Sequence, residues 1–340
     1  MLKHTRLALA ATAALLATPA QAAEAPKPAA LTADGLPPIP AELAAATRPY
    51  MEMRSAGFGG WNSRDRSMLI RTRFANVPQL HRVAGPLMAR HQISFEPEPL
   101  GGSWSPTGDV LAVSKDNGGN EFFQIYTLNA GRLNLITDGK SRNNMGPWSH
   151  DGKLLGYSST RRNGTDTDLY VVDPRNPSSN RMVAEVKGGG WAIVDFAPSN
   201  ARAVVAEYKS VTNTDPYMLD LASGRLSPIG DHSKDIAYGG MQFAPDGKLW
   251  VTSDEGSDVQ RLGILDPGSG RFTPVSPAGR WDVDEFDISH DGRTIAFLTN
   301  EAGISRLYLM DVATRRIRPV PALPVGVAGG LEFAPWGALG

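Results

Sequence analysis

Cysteine is absent from the 340 residues. Neither a disulfide nor thiol chemistry is therefore available, and no cysteine exists to carry a lipid. An excess of one charge is missing too: 34 Lys and Arg stand against 35 Asp and Glu, a formal net charge of -1. A nucleic-acid partner calls for a basic stripe, so this balance argues against one. The apolar run Leu7 to Ala17 is too short to span a bilayer, and no membrane association of the mature chain is expected. The short motifs of catalysis are missing as well. There is no G-x-S-x-G nucleophile elbow. There is no H-E-x-x-H zinc motif, no G-x-x-x-x-G-K-S/T phosphate loop and no G-x-G-x-x-G. The sequence thus nominates no catalytic residue, no metal ligand and no cofactor.

What is present is a repeat. Phe243-Ala244-Pro245-Asp246-Gly247-Lys248 is a turn with Pro to preset φ and Gly to tolerate a positive φ, flanked by short apolar stretches. The shape recurs at Trp104 to Asp109, Trp148 to Lys153 and Ile288 to Arg293. Weaker copies start at Trp61 and Phe196, and a last one at Phe333; the starting residues are 43 to 48 positions apart. A second register follows each turn by about 20 residues, where a strand ends in Asn or Asp: Tyr126 to Asn129, Tyr170 to Asp173, Tyr217 to Asp220, Ile264 to Asp266 and Tyr308 to Asp311. Four strands per unit make a propeller blade, whose two apolar faces must be covered by neighbouring blades. Trp104, Trp148, Phe196 and Phe243 are expected between blades.

An all-β β-propeller is therefore expected, with blades at roughly 50–98, 99–140, 141–187, 188–234, 235–278 and 279–324. A seventh, incomplete blade is begun at 325, with an inner strand near Leu331 to Phe333. A chain ending there reads as a piece of a longer protein. The alternative is a six-bladed ring with a C-terminal strand tucked against its edge. With the seventh blade incomplete, Met68 and Ile70 of blade one and Ile295, Phe297 and Leu309 of blade six are expected on poorly covered faces.

The N-terminus carries other signals. Lys3 and Arg6, the apolar run and Ala20-Gln21-Ala22 make residues 1–22 a secretory signal peptide. Residues 23–40 are an Ala- and Pro-rich leader. A short helix is expected around Glu42 to Ala46, limited by Pro49. The propeller region is assigned to 41–340.

Loops between second and third strands share one side of the ring with the links between blades, and motif turns lie on the other. The first set is the more varied and polar, including Asn117 to Glu121, Lys140 to Asn144, Arg161 to Asp168, Lys209 to Asp215, Asp254 to Asp258 and Asp282 to Glu285. Loops on a rigid scaffold are where recognition resides. Asn120, Glu121, Arg142, Arg161, Arg162 and Asp166 are the candidate substrate-binding residues. Asp151, Asp246 and Asp291 read as turn residues. His150 and His290 fill the slot of Pro245 and read as turn geometry too.

The turn repeat resembles the blades of the Tol-system propeller protein and of prolyl oligopeptidase-family serine peptidases. Longer stretches favour the latter, namely Asp116 to Tyr126, Thr137 to Asn143, Ser159 to Gly164, Gly188 to Trp191 and Trp281 to Phe286. From about Pro37 onward the chain resembles the N-terminal propeller of secreted bacterial members of that family. The resemblance implies a periplasmic or secreted protein that gates or positions peptides for an α/β-hydrolase domain expected downstream. This chain lacks that domain and its nucleophile, so no peptidase activity is expected of it alone. In related dipeptidyl peptidases a Glu pair receives the substrate amine; here Glu121 has no neighbouring Glu. The alternative implied is a Tol-like periplasmic module that acts by binding a protein partner.

Overall fold

The computed structural model describes residues 23–321 and 323–340. The proposed signal peptide, 1–22, lies outside the described residues. The chain divides into two compact units, Met1–Arg54 and Ser55–Gly340.

In the first unit the leader is pinned back on itself by a bridge between Glu24 and Pro40. A helix follows, Ala41–Met51, with no buried residue. It is longer than expected because Pro49 sits in its last turn, where the missing N–H costs one bond near the end. Glu52 N–H donates to Arg48 O at 2.9 Å and closes the turn.

The second unit is six antiparallel four-stranded sheets, each joining its strands in chain order. Blade one comprises Ala56–Trp61, Met68–Thr72, Gln79–Val83 and Arg90–Gln92. Blade two comprises Gly101–Trp104, Leu111–Lys115, Gln124–Asn129 and Arg132–Leu135. Blade three comprises Asn143–Trp148, Leu155–Ser159, Asp168–Asp173 and Asn176–Ala184. Blade four comprises Trp191–Phe196, Arg202–Ser210, Asn213–Asp220 and Leu226–Pro228. Blade five comprises Tyr238–Phe243, Leu249–Ser253, Arg261–Leu265 and Phe272–Pro274, and blade six Val283–Ile288, Thr294–Glu301, Ile304–Asp311 and Ile317–Pro319. The β-propeller read from the repeat is thus observed, with no α-helix after Ser55 among the described residues.

Both registers have a local cause. In the motif turns the N–H of Gly108, Gly152, Gly247 and Gly292 returns to the carbonyl three residues back, with Gly247 at φ 84°. Asn200 adopts the same left-handed conformation, φ 56°, which its short side chain tolerates. In the second register the terminal Asp caps the next turn. Asp220 Oδ1 accepts the Ser223 N–H, Asp266 Oδ1 that of Ser269, and Asp311 Oδ1 that of Thr314. Hydrogen bonds from the Ser269 and Thr314 hydroxyls, and from the Ser223 N–H and hydroxyl, act with these N–H groups to hold the three carboxyls below their ordinary range.

Alternation in the second strands explains the ring. Leu249 and Val251 pack toward blade four, whereas Trp250 packs toward blade six. Ile295 and Phe297 join Trp250 against blade five, whereas Ala296 and Leu298 face Phe333. Burial on both faces is why these strands read as unbroken apolar runs. Trp148, Phe196 and Phe243 sit in the inter-blade clusters, and Trp104 packs against one of them.

The expected bare faces are not found. Ile295 is fully buried, Phe297 and Ile70 are buried, and Met68 and Leu309 are half-buried. The reason lies in residues 331–340. The described residues form no seventh sheet; this segment is a single hairpin with a Phe333–Leu339 bridge. It covers blade six through Phe333 and blade one through Trp336, whose ring meets Trp61 edge-on at 5.5 Å.

Trp250 is fully buried between blades five and six. Trp250→Ala is expected to lower unfolding stability by about 3–5 kcal/mol, read by denaturant titration.

Candidate functional site

On one side of the ring, loops and inter-blade links are stapled by buried amides. Gln124 Nε2 donates to Ser141 O at 2.6 Å, and its Oε1 accepts the Gly139 N–H at 3.0 Å. Asn143 Nδ2 donates to Phe123 O at 2.9 Å. Arg142 and Thr160 exchange bonds, Thr160 N–H to Arg142 O at 3.0 Å and Arg142 N–H to Thr160 Oγ1 at 3.2 Å. Blades two and three therefore bring three of the expected loops together at one stretch of rim.

The six sequence candidates part into two groups there. Asn120 is a loop brace: its Oδ1 accepts the Phe122 N–H at 3.0 Å. Arg162 is saturated. Its Nε donates to Asp168 at 2.7 Å, its Nη2 to Asp166 and Val186 O, and its Nη1 lies 3.2 Å from Glu185. Its hydrogen bond to the fully buried Asp168 raises an already high pKa further. Asp166 also accepts the Gly188 N–H, which holds its carboxyl below the usual range.

The other three candidates are exposed. The Arg161 guanidinium lies 4.1 Å over the Tyr170 ring, and that of Arg142 5.2 Å over Phe122. Among the described residues neither arginine pairs with a carboxylate. Beneath Arg161, Tyr170 stacks on Tyr157 at 5.3 Å, and burial pushes the Tyr157 hydroxyl up to about 12. Glu121, next in the chain to Phe122, adopts φ 59° with its N–H held by Asp116 at 3.0 Å. Phe122 and Phe123, which the sequence reading passed over, are both exposed at this spot. Their pairing, aromatic and apolar in a polar loop, was the signal available.

Elsewhere the rim is mostly self-paired. Asp215 takes both Lys209 and, at 3.5 Å, His232 Nδ1. A cleft of about 210 Å³ between blades five and six includes Arg261, Trp281 and Glu301. Glu301 there accepts the Tyr308 hydroxyl at 2.8 Å. A larger cavity, about 740 Å³, opens on the motif-turn side, where its Arg175 is committed to Asp109 at 2.6 Å.

A second set of polar residues lies around the ring axis. At four marker positions the preceding residue reaches to the marker N–H of the next inner segment. Asp195 accepts from Phe243 at 2.7 Å, Gln242 from Ile288 at 3.1 Å, and Asp287 from Phe333. Glu332 accepts from Trp61 at 3.2 Å, so the series runs on into blade one. His150 Nε2 lies 2.6 Å from Phe196 O and His290 Nε2 3.0 Å from Phe333 O. The two histidines are thus inter-blade ties, one blade further along than turn geometry requires. Polar residues at the blade period, just before an aromatic marker, were the overlooked signal. Burial raises the carboxyls of Asp195 and Asp287, and that of Glu332 to about 7. Among the described residues no group of three or more His, Asp or Glu is arranged to hold a metal ion.

The contrast between neighbours is testable. Arg162→Ala strands the buried Asp168 carboxylate and is expected to lower the melting temperature and expose loop 160–168 to trypsin. Arg161→Ala is expected to leave melting unchanged, because its stacked, exposed side chain holds no loop.

No family model matches the chain. It is 30% identical over 119 residues to dipeptidyl-peptidase 5 of Porphyromonas gingivalis, a match covering 33% of this chain and 17% of the relative. In fold it is similar to a solved prolyl endopeptidase, with a TM-score of 0.69 and 16% identity, covering 87% of this chain and 47% of that one. It is also similar to a putative TolB of Agrobacterium tumefaciens, with a TM-score of 0.53 and 15% identity over 78% of this chain and 88% of that one. The chain spans under half the length of the peptidases it matches. Its six-bladed propeller is therefore similar in fold to those of prolyl endopeptidases and TolB proteins, and a third of its sequence is similar to a dipeptidyl-peptidase.

Proposed function

We propose that the chain is the substrate-handling propeller of a prolyl oligopeptidase-like serine peptidase, docking peptides on the rim of blades two and three. One observation carries the reading: Arg142 and Arg161 are exposed, lie on aromatic rings and have no carboxylate partner among the described residues. Such a pair offers donors to peptide carbonyl or carboxylate oxygens, with Phe122 and Phe123 for apolar side chains and Glu121 for an amine. Loops held on a rigid ring lose little entropy on binding. The partial match to a dipeptidyl-peptidase supports a peptide ligand, and the hydrolase domain belongs to the proposal as the place where chemistry occurs. Export to the periplasm or beyond rests on the pattern of residues 1–22.

A second reading, a TolB-like module binding a folded protein, is favoured by the 88% coverage of the TolB chain. The two separate by ligand. In equilibrium dialysis against a mixture of random hexapeptides, read by mass spectrometry, the first reading expects retention of a peptide subset. R142A and R161A are each expected to weaken retention about tenfold, the effect of one charge-assisted hydrogen bond. No retained peptide, or retention unchanged in both variants, would overturn it.

A further inference from the structure

Glu332 is placed differently from the other axial bridges. Its carboxylate ties the 331–340 hairpin to blade one, whereas the others join blade four to five, five to six, and six to the hairpin. The seat is tailored. A Cβ on Gly60, which sits at φ 110°, would come within 3.0 Å of Glu332 Oε2. Trp61 Nε1 donates to Glu332 O at 3.2 Å, and Gly340 N–H donates to the same oxygen at 2.9 Å.

The charged and titratable groups around it are of both signs. On the blade-six side are Asp287, which accepts the Phe333 N–H, and Glu285, which accepts the N–H groups of Gly330 and Leu331. His290 lies at Phe333 O, and His150 shares the axial cavity of about 380 Å³ with Glu332. From blade one, Arg66 is spent over the Trp336 ring at 5.5 Å. Among the described residues no cation pairs with Glu332, and the cavity gives water a route to it.

We propose that Glu332 is a pH-operated latch: protonated, it holds the hairpin on blade one; ionised, it loosens that contact. Docking takes the carboxyl from water into a buried seat beside Asp287, which favours the neutral form, against the smaller pull of the Trp61 N–H. The docked group titrates at about 7, against an ordinary 4.5. A raised value in the docked state means that the latch is fully engaged below about 4.5 and is lost as pH climbs through about 7.

The test is amide exchange by NMR on the whole chain, divided by the intrinsic exchange rate at each pH. Protection at Trp61, Phe333 and Gly340 is expected to fall about thirtyfold between pH 5.5 and 8, while amides of blade four hold steady. E332Q keeps the acceptor for Trp61 but has no proton to lose. Its fall is expected to be at least about ten times smaller, with Asp287 supplying any remainder. Protection that is flat with pH in the unaltered chain, or that falls equally in E332Q, would overturn the proposal.

Discussion

A four-stranded sheet with two apolar faces has no stable existence alone, and everything else in this structure follows from that constraint. Leu249 and Val251 are buried toward one neighbour and Trp250 toward the other. Each fully buried aliphatic side chain contributes about 1.5–3 kcal/mol relative to exposure, and that burial is shared with an adjacent blade. The blades consequently stabilise one another around the ring. Where blade six would have only solvent beyond it, Phe333 and Leu331 of the hairpin take the place of a neighbour.

The same constraint divides the polar residues by job. Near the axis, backbone N–H groups of marker residues are shut away from water and need acceptors. Asp195, Gln242, Asp287 and Glu332 supply them. The cost is carboxyl groups in low dielectric, which is why their proton affinities rise. At the rim the loops are anchored by Gln124, Asn143 and Arg162, and only the side chains left over are available to a ligand. Arg161 and Arg162 are adjacent in sequence and opposite in role for that reason.

The fold was legible because a turn needs Pro, Asp and Gly at set places and a blade repeats them. All six blades fall where the two registers place them. Coverage of blades one and six was not legible, since Trp336 and Glu332 look like the start of a repeat unit and their partner, Trp61, is 271 residues away from Glu332. Local chemistry also could not tell Arg161 from Arg162. The difference is a buried Asp168 within reach of one and a Tyr170 ring beneath the other, both set by strand pairing. In sequence His150 and His290 look like turn residues only, because their partners, the carbonyls of Phe196 and Phe333, lie on the following inner segment.

The central claim is that recognition sits on the loop rim at blades two and three. A hydrogen-exchange footprint, taken with and without the hexapeptide mixture, tests it most directly. Protection confined to residues 116–123, 137–144 and 160–167 is the expected result. Protection confined to the motif turns, at 105–109, 149–153, 244–248 and 289–293, would contradict it, as would a peptide-free footprint left unchanged across the rim.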